Sequence, residues 1–131
     1  MNLYKGFIPT NGKKSQMAFK DKTSKDLLSL AEAQKFNEYA GVLADDTVLV
    51  DIDDYEQSKI MLDIVRSKGL KCRVYETTRG CHFLFKTDKS MSNRTHCKLG
   101  IGLTADIKGA GKASYEVLKK DGKEREILYD T

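Results

Sequence analysis

Cysteine is scarce in this sequence and long apolar runs are missing, and both absences restrict what the chain can be. The three cysteines, Cys72, Cys81 and Cys97, make no even disulfide framework, so we expect a reducing, cytoplasmic setting. No apolar stretch approaches the roughly 20 residues that a membrane-spanning helix needs. The first residues also lack the apolar core of a secretory signal. We therefore expect neither a secreted mini-scaffold nor a collagen, a coiled coil or a membrane protein.

Charged residues are abundant and unevenly distributed. The 131 residues are 40% hydrophobic and 32% charged, which is typical of one soluble globular domain. The net charge of +4 hides a segregation, because residues 26–65 carry ten acidic and two basic side chains, whereas residues 1–25 and 66–112 are basic. This pattern suits a protein that holds cations in one place and polyanions beside it. The alternative is a solvated helix face, which is the better interpretation for residues 26–46.

Capping signals predict two helices. Ser29 and Glu32 have the spacing of a capping box, and the helix that they begin should continue until Gly41 stops it. Asp54 can cap a second helix, which Gly69 should end. The apolar residues of this helix recur with helical spacing at Ile60, Met61, Ile64 and Val65. Between these helices, the apolar and β-branched residues 47–52 predict a buried strand.

After the second helix, the hydrophobic period changes to two. This change and the glycine turns predict strands at residues 70–77, 81–87, 103–108, 113–119 and 125–130. Residues 88–100 are polar, and we expect an irregular segment with one short helical turn at most. The order of elements predicts an α+β chain whose antiparallel sheet carries its helices on one face.

Three acidic residues interrupt or end apolar strands. Asp51 and Asp53 lie two residues apart at the end of the 47–52 strand, so their carboxylates should leave the same face. Asp106 lies in mid-strand between apolar neighbours. Close carboxylates need a proton or a cation, and oxygen ligands suit Mg²⁺ or Mn²⁺. The alternatives are a strand end followed by a helix cap at Asp54, and pairing of Asp106 with a lysine.

A second candidate group surrounds a glycine turn. His82 begins a strand directly after Thr78, Arg79 and Gly80, and hydroxyl, guanidinium, imidazole and backbone N–H groups can hold a triphosphate. A single histidine at a strand start is more often a half-buried polar residue. Strand parity adds basic groups on the same face, with Lys86 on the side of His82 and Lys108 on the side of Asp106. Lys13 and Lys14 follow Gly12 in the N-terminal basic turn.

Taken in order, residues 48–53 (VLVDID), 78–85 (TRGCHFLF) and 105–109 (ADIKG) resemble the primase–polymerase domains of the archaeo-eukaryotic primase superfamily, found in phage, plasmid and mobile-element replication proteins. The resemblance spans about residues 6–118. It implies an RRM-like, palm-type catalytic unit at about 46–131 and a small N-terminal α/β unit at about 1–45. The chain departs from the family at Arg79, where many members have glycine, and it lacks the Pro-Pro-Ser that commonly follows the third acid.

The resemblance also implies a function. The expected activity is template-directed nucleotidyl transfer by a DNA primase or polymerase with two metal ions, Mg²⁺ or Mn²⁺. The implied partners are nucleoside triphosphates, a single-stranded DNA template and a helicase region or subunit of a larger replication protein. Metal would bind to Asp51, Asp53 and Asp106. Nucleotide phosphates would contact His82, Thr78, Arg79, Gly80 and Lys108, and nucleic acid would contact Lys13, Lys14 and Lys86.

Three other functions remain open at this stage. An RRM-type module that binds single strands without catalysis would need exposed aromatics, for which Phe83 and Phe85 are the candidates. A two-metal nuclease would use the same carboxylates. A zinc site could draw on the cysteines together with His82 and His96, although the usual C-x₂₋₄-C spacing is missing and the cysteines Cys72 and Cys81 better suit the core.

Overall fold

The computed structural model describes residues 1–88, 93–99, 102–109 and 113–131, with the backbone alone for Arg94–Lys98. In chain order the elements are β1 (Tyr4–Asn11), β2 (Lys14–Ser15), α1 (Leu30–Ala33), β3 (Tyr39–Leu43), β4 (Thr47–Ile52), α2 (Tyr55–Lys68), β5 (Arg73–Glu76), β6 (Cys81–Lys86), β7 (Arg94–Lys98), β8 (Thr104–Lys108), β9 (Tyr115–Lys120), β10 (Lys123–Glu124) and β11 (Ile127–Asp130).

These elements form two compact units. The central unit comprises Asp46–Lys112 and Glu126–Thr131 together with Met1, and the flanking unit comprises Asn2–Asp45 and Ala113–Arg125. The expected α+β class with antiparallel sheets is confirmed, and each unit has its own sheet. No helix in the described part of the chain is long and apolar enough to cross a membrane.

The central unit contains a six-stranded sheet in the order β11-β5-β6-β4-β8-β7, and every pair of neighbours is antiparallel. Strand β6 lies between β4 and β5 and is antiparallel to both, so β4 and β5 are parallel to each other. Helix α2 connects them, which makes a split β-α-β motif. Strand β8 then pairs with the other side of β4. As a result β4 is an inner strand, flanked by β6 and β8.

Helix α2 forms as the capping residues predict. The Asp54 carboxylate accepts a hydrogen bond from the Gln57 backbone N–H at 2.8 Å, and Gly69 ends the helix at φ 60° and ψ 40°. The buried residues Ser58, Leu62 and Val65 follow one another at helical spacing. This buried stripe joins the hydrophobic core of the central sheet.

Alternation along β4 determines what each face of the central sheet carries. Val48, Val50 and Ile52 belong to the core cluster that contains the buried side of α2. The residues between them must therefore point to the opposite face, and Asp51 is one of these. Burial of the alternate apolar residues thus fixes the orientation of the acid.

The flanking unit contains a five-stranded antiparallel sheet in the order β10-β9-β3-β1-β2. Its core cluster includes Ile8, Leu27, Ala40 and Val42. Residues 113–125 return to this unit late in the chain and supply β9 and β10.

The prediction for the first helix was wrong in extent. The capping box of Ser29 and Glu32 is present, but α1 is one turn long, and Tyr39–Leu43 is the fully buried strand β3. Gly41 is not a helix stop but a position in β3 where the Tyr4 ring leaves no room for a side chain. Five buried residues in succession favour an inner strand over a surface helix, which would bury only one stripe.

Two further expectations need correction. Residues 94–98, within the segment expected to be irregular, form strand β7, which pairs with β8 through a register shift. Helices packed together on one face are not found among the described residues, because α2 belongs to the central unit and the single-turn α1 to the flanking unit. A polar edge strand has no apolar alternation, so the sequence gives little sign of it.

Candidate active site

The register of the central sheet places three predicted site residues side by side. Asp51 on β4 lies opposite His82 on β6 and opposite Asp106 on β8. Residues directly opposite each other on antiparallel strands share a face, with Cβ atoms about 4.5–5.5 Å apart. His82, Asp51 and Asp106 therefore form a row across three adjacent strands. We call them the carboxylate row.

The row is half-buried. His82 Nε2 lies 3.4 Å from Asp51 Oδ1, and the two side chains are 16% and 30% exposed. On the far side of His82, the register places Tyr75 of β5, which is itself buried. Charges in such a place are less screened than charges in free solvent, so the interaction between the imidazole and the carboxylate is stronger here than at an open surface.

Asp53 lies beyond the end of β4 and has a different partner. Arg79 donates to it through Nε at 3.2 Å and Nη2 at 2.5 Å, one bond to each carboxylate oxygen. The pair is exposed, at 74% for the arginine side chain and 50% for the aspartate. An exposed ion pair of this kind contributes only about 0–1 kcal/mol, so it can be exchanged at low cost.

The turn that carries Arg79 is fixed in place. The Gly80 N–H donates to Thr77 Oγ1 at 3.1 Å, and the Thr77 N–H donates to the Gly80 carbonyl at 2.9 Å. A Cβ atom at position 80 would collide with the carbonyl oxygen of Ile52, and Ser58 Oγ would lie only 2.7 Å away. Glycine is therefore required so that the turn can lie against the end of β4. Thr78 and Arg79 are left exposed at the tip.

The donor set can be tested for its fit to a divalent cation. Among the described residues, no group of three or more His, Cys, Asp or Glu side chains is placed to hold a metal. Asp51 and Asp106 nevertheless face each other, and like charges directly opposite are unfavourable without a cation or proton between them. Hard carboxylate oxygens fit Mg²⁺ or Mn²⁺. Asp53, the third predicted ligand, is held by Arg79 instead.

The predicted basic residues divide into three groups. Lys86 forms an ion pair with Asp46 at 2.5 Å, and that contact lowers the pKa of the Asp46 carboxyl. Lys108 is exposed at the end of β8, two residues from Asp106. Lys13 and Lys14 belong to the β1–β2 hairpin of the flanking unit, where the Lys13 carbonyl accepts a hydrogen bond from a tyrosine hydroxyl.

Burial of the aromatic and cysteine candidates argues against a base-stacking surface and a zinc site. Phe83 is fully buried in the central core, and Phe85 packs against it, so neither offers an open ring to a base. Cys72 and Cys81 are buried free thiols, and burial raises the pKa of Cys72 to about 11. The side chains of His96 and Cys97, the other zinc candidates, lie outside the described residues.

Sequence reasoning missed two of these contacts. The pairing of Arg79 with Asp53 joins residues 26 positions apart, and that of Lys86 with Asp46 joins residues 40 positions apart. The proximity of Asp46 to the start of β4 and of Lys86 to the end of β6 could have indicated the second pair once the strands were aligned. No sequence signal indicates the first, because a long arginine side chain can reach many positions.

Comparison with known proteins gives no match. No protein-family model matches the chain, and no curated protein and no solved structure matches it.

Proposed function

We propose that this protein performs template-directed nucleotidyl transfer, as a DNA primase or DNA polymerase of the primase–polymerase type. The observation that carries the proposal is the carboxylate row, in which Asp51 lies between Asp106 and His82 on adjacent strands. Two acids and a histidine on one face bring together the groups that such a reaction needs for metal and for phosphate.

The acids are the proposed metal ligands. Asp51 and Asp106 face each other, and Asp53 becomes a third ligand when Arg79 releases it. Mg²⁺ or Mn²⁺ ions at these carboxylates would stabilise charge on the attacking and leaving oxygens of an in-line displacement. The contribution of the chain is to hold the carboxylates on rigid inner strands, so that little reorganisation is needed during the reaction.

We assign phosphate binding to the end of the row at His82. His82 is next to Asp51, and the turn that precedes it presents Thr78 and Arg79 to solvent. When Asp53 exchanges its arginine for a cation, the guanidinium of Arg79 becomes available to a phosphate oxygen, which it can bind through two N–H groups. Lys108 would add charge near Asp106. Lys86 is the weakest of the predicted nucleic-acid contacts, because Asp46 already neutralises it.

The strand order supports the RRM-like part of the proposal. The order β5-β6-β4-β8, with α2 joining β4 to β5, is the order of a split β-α-β sheet extended by one strand. In the RRM-like pattern a second helix precedes the last of these strands, and among the described residues between β6 and β8 there is only the strand β7. The family assignment therefore rests on the row and the strand order together.

Cellular setting and partners follow from the same proposal. We place the protein in the cytoplasm, because Cys72 and Cys81 are buried free thiols. Its substrates would be nucleoside triphosphates on a single-stranded DNA template, beside a helicase region or subunit.

Primer extension tests the proposed function. The protein is incubated with a primed single-stranded DNA template, labelled nucleotides and Mg²⁺ or Mn²⁺. We expect extension that Asp51→Asn and Asp106→Asn each reduce by at least about 100-fold, since each removes a charge from the transition-state environment. Asp45→Asn, which removes an exposed aspartate outside the row, should leave it unchanged.

The same assay separates the rivals. Metal-dependent shortening of the primer without nucleotides would mean a two-metal nuclease. If the protein binds DNA without extending the primer, and neither Asp51→Asn nor Asp106→Asn changes that binding, it is a non-catalytic binding module. Either result contradicts the proposed function.

A further inference from the structure

A cleft of about 370 Å³ lies in the central unit between α2, the 77–80 turn and β11. Its less exposed lining residues include the apolar Leu62, Cys81 and Leu128. Pockets of about 300 Å³ and above hold small organic groups, so this cleft is large enough for one nucleotide.

Tyr55 is the unusual member of the lining. The residue is 69% exposed, the largest value among the exposed large hydrophobic residues in the described part of the chain. It begins α2, and Lys59 follows it by four residues, so the two side chains lie on the same face of the helix. Leu62 and Arg66 continue this face along the cleft. An open aromatic ring next to a cation is the combination with which proteins hold an unpaired base and its phosphate.

The cleft offers a phosphate individual basic side chains and little net charge. Three cations line it, Lys59, Arg66 and Arg79, against the two acids Asp63 and Glu76. Arg79 is held by Asp53, while Lys59 has no ion-pair partner in the described residues and Arg66 gives one bond to the Leu128 carbonyl at 3.2 Å. With Arg79 paired to Asp53, Lys59 and Arg66 are matched in number by Asp63 and Glu76. A free triphosphate calls for an excess of positive charge that this lining lacks, whereas one unit of a polynucleotide carries a single phosphate charge that Lys59 and Arg66 can contact.

We propose that this cleft binds one nucleotide of single-stranded DNA, with its base stacked on Tyr55 and its phosphate against Lys59 and Arg66. A single strand is favoured over a duplex because only unpaired bases present their faces to a side chain. The proposal extends the proposed function by giving the template a binding place on the α2 side of the central sheet, which the 77–80 turn links to Asp53 through Arg79. It rests on that function for its biological meaning, but it is measurable without metal or nucleotide.

The test is anisotropy of a fluorescently labelled oligothymidylate, titrated with the full chain in EDTA. Tyr55→Ala should weaken binding by about tenfold, since loss of one base–aromatic stack costs about 1–3 kcal/mol. Tyr55→Phe keeps the ring and should bind as the wild type does. Ile60→Ala removes another exposed hydrophobic side chain of α2 that does not line the cleft, and it should also leave binding unchanged.

Two variants that each remove one lysine from α2 test the contact between Lys59 and the phosphate. Lys59→Ala should reduce the slope of log affinity against log salt by about 0.7, the value for one phosphate of a single strand. Lys68→Ala removes an exposed lysine from the same helix outside the cleft and should change the slope less.

The proposal is overturned if the wild type does not bind the oligonucleotide, if Tyr55→Ala binds it normally, or if Ile60→Ala loses as much affinity. It is also overturned if a free mononucleotide competes as well as the oligonucleotide does. If Tyr55→Ala and Lys59→Ala change DNA binding as expected but the protein never extends a primer, only the proposed function is contradicted. If primer extension depends on Asp51 but not on Tyr55, and Tyr55→Ala binds DNA as the wild type does, only the proposal that the cleft binds DNA is contradicted.

Discussion

Arg79 brings a positive charge to the candidate site from an exposed position. Its guanidinium neutralises Asp53 through two hydrogen bonds, and both side chains are exposed. In the proposed function Asp53 exchanges this partner for a divalent cation. Arg79 and the cation therefore compete for one carboxylate.

This competition predicts that Arg79→Ala binds Mn²⁺ more tightly than the wild type. The expected gain is about 1.4- to fivefold, because the exposed ion pair that must be broken is worth about 0.2–1 kcal/mol. Mn²⁺ binding is measured by electron paramagnetic resonance of the free ion, without nucleotide. Arg66→Ala, which removes an exposed arginine that contacts no carboxylate of the site, is the control for general charge.

A double substitution gives a second test of whether Arg79 and the cation compete directly for Asp53. In an Asp53→Asn background, Arg79→Ala should no longer change Mn²⁺ affinity, since the shared carboxylate is gone. Equal gains in both backgrounds would show that Arg79 acts only through its overall charge.

Strand parity agrees with the register of the strands that carry the candidate residues, but it does not extend beyond those strands. The alternation of apolar residues put His82 and Lys86 on one face of β6 and implied an outward position for Asp51, which the strand register matches. The expectation that Asp53 leaves the same face as Asp51 assumed that the strand continues to residue 53, but β4 ends at Ile52. The partner of Asp53 depends on a turn held against β4 by Gly80. Such a contact depends on three-dimensional packing that periodicity does not encode.

At the scale of elements, the 77–80 turn connects the exposed residues Thr78 and Arg79, which we propose to contact phosphate, to the core of the central unit. Its position depends on a close approach of Gly80 to the backbone of β4, and a backbone oxygen cannot move aside as the end of a flexible side chain can. The start of α2 also lies at this point, because the Ser58 hydroxyl donates to the same Ile52 carbonyl at 2.9 Å.

We predict that Gly80→Ala lowers the free energy of unfolding by about 1–3 kcal/mol, the usual cost of forcing an extra methyl group into filled space. Thr78→Ala in the same turn is exposed and should change it by less than about 0.5 kcal/mol. Urea unfolding followed by circular dichroism measures both. Equal stabilities of Gly80→Ala and the wild type would mean that the turn is not held against β4.

Elements with strong local signals were predicted better than those defined by distant partners. Helix α2 has its own cap and terminal glycine, and the sequence showed both. The apolar face expected for it was only partly right, because Val65 is buried but Ile60 is 51% exposed, and Ser58 and Leu62 complete the buried stripe. The helix predicted from residue 29 had a real capping box, but the strand β3 begins at Tyr39 because its pairing with β1 and β9 outweighs local helix propensity. Strand β7 has no apolar alternation and depends on β8 for its pairing.

At the scale of the whole molecule, the chain returns to each unit after leaving it. Residues 113–125 join the flanking unit, and Glu126–Thr131 joins the central unit. The strands were recognisable from their period, yet the period does not say which sheet a strand enters, so β9 and β11 could not be assigned to sheets from the sequence.

The most direct measurement of the central claim is anomalous diffraction at the manganese edge, from crystals of the full chain grown with MnCl₂ and a non-hydrolysable nucleoside triphosphate. We predict a manganese peak between the carboxylates of Asp51 and Asp106, with the triphosphate extending from it toward His82. Nucleotide bound elsewhere, or manganese sites that leave both carboxylates of the row without a metal, would contradict the proposed function.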